Sequence, residues 1–132
     1  MSMEKLHLIQ RESIVNPVRG EIWRVDFEPV EGAEIGKERP AVVIGDERLG
    51  RLPVRIVVPV TGWNENYRKY LWMTELLPHP DNGLSKASAA DALQIRTMAL
   101  SRFTEHIGNL PADILDEIAS TVALCVKAPR AC

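Results

Sequence analysis

Two residues in the first half of the chain combine reactive side chains with unusual placement. Arg39 stands directly before Pro40, at the mouth of the apolar run Ala41 to Ile44. Thr61 follows the apolar run Val54 to Val60 and precedes Gly62. Proline holds the residue before it extended and gives no N–H to a ladder, so Arg39 is launched from the start of a rigid strand. A guanidinium there can grip a phosphate through two parallel hydrogen bonds and offset charge developing at phosphorus. A guanidinium keeps its proton, which makes it a poor general base. The same Arg could instead pair with an acid of the preceding loop, and residue chemistry alone does not separate the two uses. A Thr hydroxyl can donate to a non-bridging phosphate oxygen or position a ribose hydroxyl, and Gly62 lets backbone approach a ligand closely. The commoner use of such a Thr is to cap a strand-to-loop turn through its own backbone.

Further residues could support that chemistry. Gln94 and Arg96, in QIRT at 94–97, stand two apart, the spacing of one strand face. Gln can read a base edge, and Arg can hold phosphate or stack. Trp63 lies in the polar loop GWNENY beside Thr61, where it could stack on a base, pack at an interface or cover the helix. Trp72 alternates like a core strand residue. His7, His79 and His106 are scattered over an extension, a turn and a loop, which argues against a two-histidine acid–base pair. No cluster of Asp, Glu, His or Cys has ligand spacing, so neither a metal nor another cofactor is expected. Cys125 and Cys132 form neither a zinc pattern nor a disulfide framework.

The elements that must position these groups read as mostly β. Residues 1–17 lack a period and end in Asn16-Pro17, which predicts an extension that is ordered only by docking. Residues 21–27 alternate, with Trp23, Val25 and Phe27 on one side and Arg24 and Asp26 on the other, the pattern of a half-buried strand. Residues 28–38, EPVEGAEIGKE, form a long loop, a length often associated with function. Ala41 to Ile44 and Val54 to Val60 are Val-rich runs too short for helices, hence two buried strands joined by the turn DERLGRLP. Residues 68–76 predict a fourth strand with Tyr70 and Trp72 on one face. PHPDNG then marks a reversal, 87–96 a fifth strand, and 97–106 a short helical turn. Ile114, Leu115, Ile118, Val122, Cys125 and Val126 recur at helical spacing after Pro111 and Asp113, which suit a helix N-terminus; Lys127 suits its C-terminus. That helix is expected to stop near Ala128-Pro129, with Cys125 on its apolar side.

Composition narrows the possibilities. A chain of 132 residues suits one domain and is long enough to fold without a staple. A formal net charge of −2 argues against a protein that coats nucleic acid non-specifically, but not against a local phosphate groove. The charge is uneven. Residues 1–38 carry five cations against eight acids, whereas 39–61 carry Arg39, Arg48, Arg51 and Arg55 against Asp46 and Glu47. No apolar run approaches the roughly 20 residues of a membrane span. The charged N-terminus does not read as a signal peptide, so a cytoplasmic location is expected.

The motifs GEIW at 20–23, the loop closing in Gly36 and Arg39-Pro40, PVT at 59–61 and QIRT at 94–97 stand in one order along the chain. Together they resemble the MazF/PemK family of toxin endoribonucleases, across roughly residues 19–126. The resemblance implies a mainly β fold, a small SH3-like antiparallel barrel with a C-terminal α-helix, over residues 18–128. It implies a homodimer with a cognate antitoxin, acting on single-stranded RNA without a metal. Attack of the ribose 2′-OH on phosphorus would leave a 2′,3′-cyclic phosphate and a 5′-OH. Arg39 and Thr61 take the places of the family's cleavage residues. Relatives that carry an acid directly before the Gln differ from this chain, which has Leu93 there and Asp91 two residues earlier. Asp91 could act from that distance on the same strand face, or simply pair with an arginine. A CcdB-like gyrase poison on the same fold, or a non-catalytic binding module, are the alternatives; neither would need Arg39 and Thr61 together at a cleft.

Overall fold

The computed structural model describes residues 15–129. His7, Cys132 and residues 1–14 of the expected extension lie outside the described residues. Among the described residues seven strands are followed by one helix: β1 (Glu21–Asp26), β2 (Glu38–Val43), β3 (Val54–Gly62), β4 (Met73–Leu76), β5 (Ser88–Asp91), β6 (Arg96–Ala99), β7 (Phe103–Asn109) and α1 (Ala112–Cys125). They form one antiparallel sheet in the order β4-β5-β3-β2-β1-β7, with β6 also on β3. β4 and β7 remain at the edges, so the barrel-like sheet is open rather than closed.

The Val-rich runs are explained by burial on both faces. Ala41, Val43 and Val57 pack with Trp23, Val25, Phe27, Met98 and Phe103. The alternate residues Val42, Ile44, Val58 and Val60 pack with Ile22, Leu115 and Ile118 instead. Successive side chains leave a strand on opposite sides, so a strand covered on both faces reads as continuously apolar. Helix α1 covers one face, and Val15 and Val30 join the cluster on the other. Val15 therefore docks, and Asn16 and Pro17 accept hydrogen bonds from Arg55.

Several expectations are corrected. The chain at 68–76 is a strand only over Met73–Leu76; Glu65–Lys69 forms a 3-10 turn, and Tyr70 and Trp72 precede the strand. Trp72 is half-buried and belongs to neither core cluster. The fifth strand is broken. β5 ends at Asp91, Ala92–Gln94 turns as a 3-10 helix, and β6 resumes at Arg96. Six residues thus separate Ala90 from Arg96 while only three separate their partners Val60 and Val57, and the surplus bulges outward. Gln94 and Arg96 consequently do not share a strand face, nor do Asp91 and Leu93. Residues 97–106 are mainly strand, with a 3-10 turn limited to Leu100–Arg102, and His106 lies in β7 rather than a loop. Helix α1 buries Leu115 and Ile118, but Cys125 is exposed, and the chain leaves the helix before Lys127, which adopts a positive φ of 54°. The alternation of a single element did not reveal the break between β5 and β6, because the pairing of both with β3 imposes it.

The segment from 77 to 87 is clamped to β7. Buried Asn82 accepts from the N–H groups of His79 and Leu84 and donates to the Leu77 carbonyl. Gly83, at φ 69°, lies so close that a Cβ would come 2.0 Å from the Ile107 carbonyl oxygen, and a Cβ on Gly108 would come 2.2 Å from the Asn82 carbonyl carbon. Only glycine fits either place. Gly108→Ala is expected to lower stability by about 1–3 kcal/mol, read as a lower urea midpoint with little change in slope. A wild-type midpoint would show that this contact yields freely.

Candidate active site

Arg39 and Thr61 meet because β2 and β3 are antiparallel neighbours. Ala41 lies opposite Pro59 and Val43 opposite Val57. Continuing that register by two residues sets Arg39 across from Thr61, the distance at which side chains interact. An Arg39 Nη1–H points to Thr61 Oγ1 at 3.5 Å, a long contact, and Nε–H donates to the Gly36 carbonyl at 2.9 Å. Two of five guanidinium donors are engaged, which leaves three without a protein partner among the described residues. The loop acids do not hold Arg39; the loop's backbone does. Thr61 is not a strand-end cap either. β3 runs on through Gly62, and Thr61 pairs with Ala89 of β5.

The two residues line a cleft of about 240 Å³ with Arg24, Glu38, Gly62, Lys86 and residues of the clamped 77–87 segment. Three cations, Arg24, Arg39 and Lys86, face it with one carboxylate, Glu38. Arg24 lies 3.8 Å from the exposed Glu105, and Glu38 accepts from the Thr104 hydroxyl at 2.8 Å. Lys86 has no carboxylate within ion-pair distance among the described residues. A Cβ on Gly62 would already sit 3.4 Å from its Nζ, so the ammonium hangs over the strand beside Thr61. The local excess of positive charge opposes the sign of the whole chain and favours an anion. Lys86 and Arg24 escaped the sequence reading, because a lone Lys after a turn and an Arg on an alternating strand carry no pattern. Conversely, the basic segment 39–61 contributes less than its count suggests. Arg48 pairs with Asp46, whose carboxyl is lowered to about 2 chiefly by the Arg48 side chain, and Arg55 is buried among carbonyls of residues 17, 50, 52 and 54.

The remaining candidates lie outside the cleft lining. Gln94 clasps the 28–37 loop: its Oε1 accepts from the Ile35 N–H and its Nε2 donates to the Ala33 carbonyl, both at 3.3 Å. Arg102 holds the loop's base by donating to the Asp26 and Glu28 carbonyls, and the Glu28 carboxylate accepts from the Lys37 N–H. Arg96 lies over the Phe27 ring at 5.5 Å with one buried nitrogen unpartnered among the described residues. Asp91 is buried and accepts from the Leu93 N–H at 3.1 Å, capping the 3-10 turn; among the described residues no arginine pairs with it. Desolvation pushes its carboxyl up, against the backbone N–H groups of Leu93 and Gln94. Trp63 follows the cleft directly; its indole N–H donates to Glu65, and the Arg68 guanidinium sits over its ring. Removing the clasp with Gln94→Ala should speed exchange of the Ile35 amide roughly fivefold, as expected for one lost hydrogen bond, with β2 amides unchanged. Equal exchange in both proteins would show that Gln94 does not restrain the loop.

Comparison with known proteins identifies the family and the fold. A family profile described as PemK-like, MazF-like toxin of type II toxin–antitoxin system matches residues 18–126. Endoribonuclease MazF9 of Mycobacterium tuberculosis (strain ATCC 25618 / H37Rv) is 36% identical over 112 residues, covering 80% of this chain and 92% of the relative. The crystal structure of MazF from Deinococcus radiodurans superposes with a TM-score of 0.70 at 26% identity, over 84% of this chain and 96% of that one. A MazE–MazF structure from the same organism gives 0.67 at 25% identity, over 86% and 99%. A family match over residues 18–126 and 36% identity across nearly the whole of MazF9 show that the chain belongs to the PemK-like, MazF-like toxins of type II toxin–antitoxin systems.

Proposed function

We propose that this toxin is an endoribonuclease that cuts single-stranded RNA at the Arg39–Thr61 cleft without a metal. The observation that carries the reading is the convergence of Arg39 and Thr61 from two strands at 3.5 Å, in a cleft lined by three cations and one carboxylate. In the proposed reaction the 2′-oxygen forms a bond to phosphorus and the bond from phosphorus to the 5′-oxygen breaks. The 2′-OH loses a proton and the leaving 5′-oxygen gains one, giving a 2′,3′-cyclic phosphate and a 5′-OH. Charge builds on the non-bridging oxygens as the new bond forms. The free donors of Arg39 offset it, held in place by the Gly36 carbonyl, and Thr61 donates to one of those oxygens. Lys86 takes a neighbouring phosphate as a point charge. Among the described residues the lining contains no His or Cys, so none of them offers an imidazole pair for the proton transfers.

The active species in this reading is a cytoplasmic homodimer, restrained by a cognate antitoxin. The Deinococcus MazE–MazF structures support the antitoxin, and among the described residues no helix is long and apolar enough to cross a membrane. Gln94, Arg96 and Trp63 would then meet the RNA outside the cleft, while Asp91 would act on it only by shaping the Ala92–Gln94 turn.

Purified protein should cut a long defined RNA at discrete sites in EDTA and leave cyclic-phosphate and 5′-OH ends. Arg39→Ala should reduce the rate by roughly 10²–10³-fold or more with an unchanged urea midpoint, and Arg39→Lys should not restore it. Full activity in folded Arg39→Ala would refute the assignment, and a folded, antitoxin-free wild type that cuts no RNA would favour the gyrase-poison reading. Lys86→Ala should mainly raise KM and flatten the salt dependence of binding by about one counterion. An unchanged KM and salt slope would remove Lys86 from the phosphate path.

A further inference from the structure

The chain contains three Trp, two Tyr and two Phe. Trp23, Phe27 and Phe103 are core residues. The other four form a single run that belongs to neither core cluster: Trp63 to Tyr67 at 5.8 Å between ring centres, Tyr67 to Tyr70 at 6.1 Å, and Tyr70 to Trp72 at 4.8 Å with planes 4° apart. All four are half-buried or exposed. The run begins where the cleft ends. Trp63 follows Gly62, and its N–H donates to the Ala87 carbonyl at 3.1 Å, which ties it to the segment carrying Lys86. Arg68 covers the Trp63 ring at 5.2 Å and is fixed by Glu65 and Glu75, while Lys69 stands exposed on the same turn.

We propose that this run is a stacking track for unpaired bases of the RNA strand as it leaves the Arg39–Thr61 cleft; the proposal rests on the RNA-cleaving reading above. Proteins that hold single strands without reading sequence combine cations along the backbone with successive aromatic faces for the bases. Here the run of rings, edge-on at Trp63–Tyr67 and parallel at Tyr70–Trp72, starts one residue after Gly62 of the cationic cleft, and Arg68 adds a planar cation on the ring nearest to it. The parallel pair Tyr70–Trp72 extends that surface away from the reacting phosphate. The track would add affinity for nucleotides flanking the cut while leaving the chemical step to the cleft. Exposed Leu71 in the same stretch is what a protein partner would use instead, and the test includes that outcome.

The probe is a pair of RNAs spanning a mapped cleavage site, each with a 2′-deoxy sugar at the scissile position so that it binds without being cut. One has bases throughout; the other is abasic at the flanking positions. Wild-type protein should bind the fully based RNA roughly 5- to 100-fold more tightly for each stacked base. That ratio should persist from about 50 to about 200 mM salt, because stacking releases no counterions, while both affinities fall. Tyr70→Leu with Trp72→Leu should bring the ratio close to one and leave cleavage of a short RNA without flanks at the wild-type rate. Tyr70→Phe with Trp72→Phe should retain the ratio. A ratio of one in wild-type protein that still cuts RNA would overturn the track alone, and this comparison needs no variant to fold. A normal ratio in the Leu variant with weakened antitoxin binding or dimerisation would overturn it in favour of a protein surface. Absence of any RNA cleavage by folded wild-type protein would overturn the nuclease reading and the track together.

Discussion

The register between β2 and β3 is the constraint on which the site depends. With Ala41 opposite Pro59, Arg39 must fall opposite Thr61. A slip of one residue would turn one of them to the other face of the sheet, because side chains alternate strictly along a strand. The register is held by burial on both sides: Ala41, Val43 and Val57 belong to one apolar cluster, Val42, Val58 and Val60 to the other. A one-residue shift of either strand would move all of that strand's side chains into the wrong cluster. The reactive pair is therefore fixed by apolar packing several residues away, and not by the weak 3.5 Å contact between the two side chains themselves.

Two irregular segments complete what the strands begin. The 28–37 loop supplies the Gly36 carbonyl that orients Arg39, and is itself clasped by Gln94 and Arg102. The 77–87 segment carries Lys86 to the cleft and is held by buried Asn82 and by the close approach of Gly83 and Gly108 to opposing backbone. Backbone contacts of this kind resist displacement, because no side chain can rotate out of the way. They bring Lys86 into a cleft where two other cations already lie, although the chain as a whole carries a formal charge of −2. Local field, and not total charge, is what a phosphate would meet.

Arg68 and Arg96 both lie over an aromatic ring, Arg68 while paired with two acids and Arg96 with none among the described residues. Each lies within 5.5 Å of a ring centre, Arg68 over Trp63 outside the core and Arg96 over Phe27 within it. The contrast matters. The half-buried Arg96 over Phe27 has one buried nitrogen lacking a partner among the described residues, whereas the exposed Arg68 over Trp63 is paired with two glutamates. Identical residue types thus do different work on either side of the boundary between the core and the surface.

From the residues alone, the mainly β fold, the two buried Val-rich strands and the C-terminal helix were legible, and so were Arg39 and Thr61 as candidates, which the structure brings into one cleft. Each is written in a local signal: continuous β-branched runs, helical spacing, an Arg-Pro step, a Thr-Gly step. The tertiary structure decided what those signals do not contain. It broke the expected fifth strand, because β3 accepts β5 and β6 with three surplus residues between them, and so separated Gln94 from Arg96. It extended β3 through Thr61, because β5 offers partners there. It buried Arg55 and recruited Lys86, whose roles depend on segments distant in the chain. Local sequence sets which residues are apolar, turning or reactive, since those are properties of the residues themselves. Pairing between distant strands sets which reactive groups meet, since register is a property of two segments and their shared burial.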